Sequence, residues 1–234
     1  MQLFISDLHL CPTRPEMIKV FLSFLNTTAK NAEALYILGD FFDAWIGDDD
    51  DTPAYKVITE ALYNYSSNHK LFFMHGNRDF LIGNSFAEDT GITLLPDPYS
   101  LNINGQKVVL SHGDFLCTDD VDYIAFRDQV RAEEWQINFL KKDLTERKEI
   151  ADEMRGASQE ATAEKSNTIT DVNALAVESF IDEHKPSLFI HGHTHRPDIH
   201  DVNLSKRVVL GDWNTHGWFL SIDENGHELK KFLI

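Results

Sequence analysis

Five short polar motifs in this sequence carry side chains of the types that bind divalent metal ions. They supply carboxylates, imidazoles and an amide oxygen but no cysteine thiolate, a set that favours manganese, iron or zinc over calcium. The motifs are Asp7-Leu8-His9, Gly39-Asp40 with Asp43, Gly76-Asn77-Arg78-Asp79, His112-Gly113-Asp114 and Gly192-His193-Thr194-His195. Two such ions about 3.5–4 Å apart can share a carboxylate and a hydroxide that attacks phosphorus in line. These residue types predict a two-metal hydrolytic centre.

Each motif follows a short apolar segment that is predicted to be a β-strand. The five predicted strands are residues 2–6, 34–38, 71–75, 107–111 and 187–190. Helices are predicted at 16–29 and 54–65, between the first three strands. This alternation predicts a parallel sheet with right-handed crossovers. Because ligands of α/β sheets bind outside the carboxyl ends of the strands, we expect the five motifs to converge on one rim.

The end of the chain is predicted to form an antiparallel run of strands at 207–210, 217–222 and 227–232. With 42% hydrophobic and 25% charged residues, the composition is that of an ordinary globular protein. We therefore expect an α/β fold in which two sheets pack face to face with helices outside. Residues 1–234 are predicted to form a single domain.

Residues 118–170 are too long for a simple connection, which typically has about 4–6 residues, and they are rich in helix formers. They predict a helical insertion and not a loop. If the segment is one unbroken helix, Trp135 and Phe139 share one side, and the opposite side carries Phe126, Val130, Ile137, Leu140 and Leu144. Two apolar faces need two partners. One is the body of the protein, and the other is either the insertion itself or an apolar ligand.

Charge and cysteine content limit the function and the compartment. The chain has 21 basic and 38 acidic residues and a net charge of −17, which argues against a protein that wraps nucleic acid. Cys11 and Cys117 are too few for a disulfide framework. The sequence has no basic signal-peptide start and no apolar run of about 20 residues. These features predict a cytoplasmic protein and leave peripheral membrane contact open.

The ordered motifs D-x-H, G-D-x-x-D, G-N-x-D, H-G-D and G-H-x-H resemble those of the calcineurin-like metallophosphoesterase superfamily. The resemblance implies a two-sheet sandwich flanked by helices, with a binuclear metal site. It implies seven ligands, which are Asp7, His9 and His195 for one ion, Asn77, His112 and His193 for the other, and Asp40 as the bridge. His75 and His191 are predicted to pack on the opposite faces of their strand ends.

Arg78 departs from the superfamily pattern, in which a histidine commonly follows the asparagine and can protonate a leaving alkoxide. Arginine stays charged and cannot act as a general acid near neutral pH, but it can clamp phosphate oxygens. A phosphate leaving group needs no proton, because its second pKa is about 6. Asp40 and Arg78 are therefore predicted to be catalytic in the hydrolysis of a phosphoanhydride.

Almost the whole chain resembles the family of bacterial UDP-2,3-diacylglucosamine diphosphatases of lipid A synthesis. The stretches that carry the resemblance are ISDLHLC, ALYILGD, AWIGDDD, HGNRDFL, SHGDFLCTDD, RGASQEA followed by EKS, HGHTHRP and RVVLGDW. It implies attack of a metal-bound hydroxide on the phosphorus next to uridine, which releases UMP and 2,3-diacylglucosamine 1-phosphate (lipid X). It also implies two Mn²⁺ ions and peripheral attachment to the cytoplasmic face of the bacterial inner membrane.

The family's substrate-contacting positions correspond to Asn77, Arg78, Asp120, Ser158, Thr162, Lys165 and His193. Thr162 stands where the family has asparagine, and Asp43 where it has glutamate. The insertion at about 118–170 is expected to be a helical lid that holds the two acyl chains of the substrate. Its basic residues are expected either to meet phosphate or anionic lipid head groups, or to be surface charges offset by nearby acids. They are Arg147, Lys148, Arg155 and Lys165.

Two other functions compete with this interpretation. One is a different metallophosphoesterase, such as a phosphodiesterase or a phosphoprotein phosphatase, and Arg78 and the apolar insertion argue against it. The other is a scaffold that keeps the fold without its metals, and the complete ligand set argues against that. No nucleic acid and no protein partner is predicted.

Overall fold

The computed structural model describes residues 1–164 and 169–234, and of residues 158–164 it describes only the helical backbone. The strands are β1 (Gln2–Ile5), β2 (Ala34–Leu38), β3 (Lys70–Met74), β4 (Thr93–Leu95), β5 (Tyr99–Ile103), β6 (Gln106–Leu110), β7 (Leu188–His191), β8 (Asp198–Val202), β9 (Ser205–Val209), β10 (His216–Asp223) and β11 (Gly226–Leu233). The helices are α1 (Pro15–Asn26), α2 (Pro53–Ser66), α3 (Asn84–Thr90), α4 (Val121–Arg131), α5 (Glu133–Leu140), α6 (Leu144–Glu164) and α7 (Ala174–His184).

Two mixed sheets form the centre of the protein. The first has the order β11-β10-β1-β2-β3-β4, and the second has the order β5-β6-β7-β9-β8. In the first sheet β1 to β4 are parallel, as the strand–helix alternation predicts, and β10 joins β1 antiparallel. In the second sheet β6, β7 and β9 are parallel to one another. The motif-bearing strands therefore end on the same side.

The packing of the core shows two sheets between two layers of helices. Leu38 of β2 and Ile190 of β7 belong to one apolar cluster, which fills the space between the sheets. Phe21 of α1 and Ile58 of α2 pack on the outer face of the first sheet. Phe180 of α7 packs on the outer face of the second. Proline begins α1 and α2, where its missing N–H costs no helical hydrogen bond. The predicted sandwich is confirmed.

The predicted antiparallel run near the end of the chain is wrong in one respect. β10 and β11 form the expected hairpin, but β9 lies in the other sheet, parallel to β7. The chain crosses between the sheets through the segment 210–215, where Trp213 is fully buried and its backbone N–H donates to the carbonyl of Asp7 at 3.0 Å. This crossing depends on a contact between residues far apart in sequence, which strand patterning does not reveal.

The predicted single helix in the insertion is also wrong, because three helices occupy residues 121–164. Ala132 has extended backbone angles and separates α4 from α5. Asp143 precedes α6 and caps it, since its side chain accepts from the N–H of Glu146 at 2.9 Å. The two predicted apolar rows are consequently broken up. Val130 is buried and Leu144 packs against the main core, although both were assigned to one face with the exposed Ile137.

None of the helices in the described part of the chain is long and apolar enough to cross a membrane.

Candidate metal and phosphate site

The loops after the five motif-bearing strands are joined by backbone hydrogen bonds at one rim. The N–H of Asp7 donates to Gly39, that of His9 donates to Asp40, and that of Gly192 donates to His112, all at 3.0–3.1 Å. Five of the predicted ligands have a positive φ, which is uncommon outside glycine and is concentrated at functional sites. They are Asp7, His9, Asp40, His193 and His195. The rim thus holds these side chains in a strained but defined arrangement.

Gly39 shows why glycine is needed at this rim. Its φ is +85°, and a Cβ at this position would lie 2.5 Å from the backbone of Gly76 and 2.7 Å from the ring of His112. The second and third motifs can therefore touch only because neither glycine has a side chain. This close approach brings Asp40 next to Asn77 and Arg78.

Asp7, His9 and His195 form the first group of candidate ligands. The Nε2 atoms of His9 and His195 lie 3.2 Å apart, and Nε2 of His195 lies 3.3 Å from Oδ1 of Asp7. Burial alone would raise the pKa of Asp7, but the hydrogen bond and the charge of His195 outweigh it, so the pKa lies well below its usual range. The carboxylate stays ionised and can hold a cation.

Asn77, His112 and His193 form the second group. Oδ1 of Asn77 lies 3.0 Å from Nε2 of His112 and 2.9 Å from Nδ1 of His193. Nδ1 of His112 donates to the carbonyl of Leu38 at 2.9 Å, so in the neutral ring Nε2 is an acceptor that faces the amide oxygen, a second acceptor. Two acceptors at this distance require a proton or a cation between them, which fits a metal site.

Asp40 lies between the two groups. Its carboxylate, that of Asp7 and the ring of His112 form a second cluster whose ligand atoms are within 4.8 Å of one another. Burial and the charge of Asp7 raise the pKa of Asp40. Burial would lower the pKa of His112, but the charges of Asp40 and Asp7 raise it to about 9. These buried carboxylates call for positive charge, which divalent ions would supply.

The structure thus brings together all seven side chains of the predicted ligand set, and their chemistry fits two divalent ions. Their individual roles as ligands stay a prediction.

Asp79 and Asp114 belong to the motifs, but no role was predicted for them from the sequence. In the structure both hold the loops of the site together. Asp79 accepts from the N–H groups of Gly76 and Phe41, each at 2.7 Å. Burial, and then the charge of Asp40, raise the pKa of Asp79 to about 7. Its carboxylate therefore ties the Asp40 loop to the Asn77 loop. No pattern in the sequence distinguishes this structural aspartate from a metal ligand.

Asp114 is the second of these, and it fastens helix α4 to the site. It is fully buried and accepts from the hydroxyl of Tyr123 at 3.0 Å and from Nε of Arg127 at 2.7 Å. The ring of Tyr123 stacks on His193 with 5.6 Å between centroids, and Arg131 donates to the carbonyl of Gly76 at 2.9 Å. The spacing of 123, 127 and 131 places these residues on one helix face, a signal that could have revealed them.

An apolar chamber with a cavity volume of about 100 Å³, partly open to solvent, lies between the insertion and the body beside Arg78. Its polar end is formed by Asp43, Asn77, Arg78 and Arg155. The remaining wall is formed by Ala44, Trp45, Ile46, Phe80, Leu81, Phe126, Trp135, Phe139, Ala151 and Met154. The rings of Trp135 and Phe139 stack at 4.9 Å. These two residues face the chamber as one row, and of the opposite predicted row only Phe126 joins them.

The other predicted site residues have different surroundings. Asp120 caps helix α4, because its carboxylate accepts from the N–H of Tyr123 at 3.1 Å. The side chains of Ser158 and Thr162, and the whole of Lys165, lie outside the described residues. Arg147 was expected either to meet phosphate or anionic lipid head groups or to be a surface charge, and the structure gives it a different role. It is only 2% exposed and donates to the carbonyl of Ile46 and to Asp49.

The sequence pattern of the family described as calcineurin-like phosphoesterase matches residues 2–197. A relative named UDP-2,3-diacylglucosamine hydrolase from Tolumonas auensis is 48% identical over 95% of this chain and 93% of its own. Relatives with the same name from Cellvibrio japonicus and Escherichia coli O7:K1 are 44% and 46% identical to this chain. The first match covers 99% of both chains, and the second covers 98% of both. The chain belongs to the UDP-2,3-diacylglucosamine hydrolase family of calcineurin-like phosphoesterases. Membership in the phosphoesterase family implies a binuclear metal site, and the candidate ligands for one are present.

A solved structure described as that of a novel archaeal phosphodiesterase is similar to the fold of this family member. Its TM-score is 0.53 at 13% sequence identity, and the match covers 100% of this chain and 99% of the other. This similarity supports the fold alone.

Proposed function

We propose that this protein hydrolyses the diphosphate of UDP-2,3-diacylglucosamine to UMP and 2,3-diacylglucosamine 1-phosphate, a step of lipid A biosynthesis. The observation that carries the proposal is the chamber, whose apolar wall continues into Asn77 and Arg78 beside the candidate metal ligands. A substrate with a diphosphate joined to acyl chains matches this succession of polar and apolar surfaces. The name of the relatives supports the same substrate.

Two divalent ions, which we take to be Mn²⁺, would be held by the two ligand groups with Asp40 between them. When bound, such ions activate water and neutralise charge on the reacting phosphate. The protein positions them through the loops that Asp79 ties together. The imidazole, carboxylate and amide ligands suit manganese.

Arg78 clamps the diphosphate during the reaction. Its guanidinium lies at the mouth of the chamber, close to both Asp40 and Asn77. It is always protonated, so it stabilises negative charge and does not transfer a proton. The leaving group is a phosphate, which departs as an anion. The nucleophile attacks the phosphorus next to uridine, and the lipid phosphate leaves on the side of Arg78 and the chamber.

The substrate is proposed to contact the residues that the family resemblance indicates. These are Asp120, Ser158, Thr162, Lys165 and His193, together with Asn77 and Arg78. Burial and the charge of His112 lower the pKa of His193 to about 4, so its ring is neutral and suited to binding a metal ion or donating a hydrogen bond.

The acyl chains reach the chamber from a membrane, and peripheral attachment to the cytoplasmic face of the inner membrane follows from the substrate. Among its apolar residues the insertion exposes Val121 by 71%. With a net charge of −17 the protein as a whole is repelled by an anionic surface. Contact is therefore expected through the apolar insertion and not through a broad basic face.

Turnover measurements with Mn²⁺ test the proposal. The protein should hydrolyse UDP-2,3-diacylglucosamine much faster than bis(p-nitrophenyl) phosphate, and Asp40→Ala should abolish the reaction. In ¹⁸O-water the label should enter UMP, because the phosphorus next to uridine is attacked. Faster hydrolysis of the aryl diester would indicate a general phosphodiesterase. Turnover of neither substrate would indicate a scaffold without activity.

A further inference from the structure

One carboxylate near the metal rim joins two guanidinium groups from different parts of the chain. Oδ1 of Asp43 accepts from Nη1 of Arg78 at 2.8 Å, and Oδ2 accepts from Nη1 of Arg155 at 2.8 Å. Asp43 follows β2, Arg78 lies in the loop after β3, and Arg155 lies on α6 of the insertion. Each oxygen of the carboxylate thus holds one cation.

The burial of these groups makes the contacts stronger than ordinary surface ion pairs. The side chain of Asp43 is 19% exposed, and that of Arg78 is 30% exposed. Charge-assisted hydrogen bonds of this length, partly removed from water, are stronger than those between neutral groups. The contact with Arg155 fixes the plane of the carboxylate, so that Oδ1 faces Arg78.

Arg78 also has a second carboxylate within reach. Its Nε lies 3.7 Å from Oδ2 of Asp40, the candidate bridging ligand, whereas its Nη1 lies 2.8 Å from Asp43. Asp40 is almost fully buried, and a guanidinium hydrogen-bonded to it would compete directly with cations for the same oxygens. The geometry shows the stronger contact going to Asp43.

We propose that Asp43 is a positioning residue that draws Arg78 away from Asp40. It holds the guanidinium where it can reach the substrate phosphate, and it leaves the Asp40 carboxylate free for metal ions. The inference rests on the proposed function in so far as Asp40 is a metal ligand and Arg78 a phosphate clamp. Without Asp43, the guanidinium would turn to Asp40, and both metal binding and turnover would suffer.

Calorimetric titration of the metal-free protein with Mn²⁺ tests this role without any substrate. Asp43→Asn should weaken Mn²⁺ binding about tenfold, as the loss of a group that orients metal ligands does. Adding Arg78→Met to this variant should restore the affinity, because no guanidinium is left to occupy Asp40. A general loss of structure could not be reversed by a second substitution of this kind. Asp43→Glu, which keeps the carboxylate, should retain the wild-type affinity.

Asp152→Asn is the matched control. Asp152 contacts Nη2 of the same Arg155 at 3.3 Å, but it is 74% exposed and touches neither Arg78 nor Asp40 among the described contacts. This variant should bind Mn²⁺ as the wild type does. Thermal melts of all variants establish that they are folded, and Asp43→Ala replaces Asp43→Asn if the latter does not fold.

Kinetics supply the second readout. Asp43→Asn at saturating Mn²⁺ should lower kcat for the diacylated substrate more than it raises KM, because Arg78 acts mainly in the transition state. Unchanged Mn²⁺ affinity in Asp43→Asn would overturn the proposal, and so would an Asp43→Asn/Arg78→Met double variant as weak as Asp43→Asn alone. Failure of the wild type to hydrolyse the substrate would overturn the proposed function only, since the titration still decides the role of Asp43.

Discussion

Replacement of Phe126 separates binding of the acyl chains from folding. Phe126 lines the chamber, yet 39% of the residue is exposed, so its removal leaves no large hole in the core. A phenylalanine has on the order of 200 Å² of surface, of which about 80 Å² is then available to a ligand. At about 25 cal/mol per Å², Phe126→Ser should weaken binding of the acyl chains by about 2 kcal/mol.

This loss corresponds to about a thirtyfold increase in KM for UDP-2,3-diacylglucosamine. kcat should stay nearly unchanged, because the chains are bound equally well in the ground state and the transition state. The assay follows UMP release from detergent-dispersed substrate, in parallel with UDP-glucosamine, which lacks the chains. Hydrolysis of UDP-glucosamine should not change, because its diphosphate still meets the metal rim and Arg78.

Ile137→Ser is the matched control for this prediction. Ile137 is an apolar residue of the same insertion with a similar exposure of 46%, but it does not line the chamber. Its replacement should leave KM for both substrates unchanged. Equal loss of activity toward both substrates in Phe126→Ser would refute the reasoning, and so would an equal effect of Ile137→Ser on the diacylated one.

Three further predictions concern the rim and its surroundings. Asp40→Ala should retain less than about a tenth of the turnover at saturating Mn²⁺, because it removes the proposed bridging ligand; higher activity would exclude that role. Arg78→Ala should lose about 3 kcal/mol of transition-state stabilisation, measured from kcat/KM, while metal analysis finds its Mn²⁺ retained; loss of the metal would make Arg78 structural. Burial and the charge of Arg207 lower the pKa of His191 to about 3, below its ordinary value of 6.5, so the unfolded chain binds a proton that the folded chain rejects. The resulting contribution to the free energy of unfolding is fully present above pH 6.5 and is lost as the pH falls toward 3. The loss amounts to about 2 kcal/mol by pH 5. Urea unfolding of the metal-free protein should therefore depend less on pH between 7 and 5 in His191→Asn, and an unchanged dependence would contradict this assignment.

The convergence of the five motifs could be predicted from sequence because it follows from local patterns. Alternating strands and helices predict parallel strands, and parallel strands end on one side of a sheet. The structure accordingly places Asn77, His112 and His193 in contact although 116 residues separate the first and the last. Topology and residue types predict a metal centre at this rim, whereas the assignment of the seven individual ligands depended on the resemblance to the phosphoesterase superfamily.

The features that were missed depend on contacts between distant residues or on weak local signals. Nothing near 205–209 indicates that β9 pairs with β7, because the choice of sheet is made by packing around Trp213. The break between α5 and α6 did have a local signal, since Asp143 and Glu146 have the spacing of a capping box. That signal was outweighed by the run of helix-forming residues on both sides.

Hydrogen bonding separates the acids that support this site from those that could bind metal, a distinction that the motifs do not make. Asp79 and Asp114 are buried and saturated by protein donors. These are four backbone N–H groups for Asp79, and one backbone N–H, a hydroxyl and a guanidinium for Asp114. Asp43 is saturated by two guanidinium groups. Asp40 accepts one backbone hydrogen bond at 2.9 Å, on Oδ1, and its Oδ2 has the guanidinium of Arg78 only at 3.7 Å. Asp7 is similar, since its buried Oδ1 has no backbone donor among the described residues and its Oδ2 accepts one backbone N–H at 3.0 Å. A buried carboxylate with so few donors requires another source of positive charge, and Asp40 and Asp7 are therefore the acids whose loss should affect metal binding most.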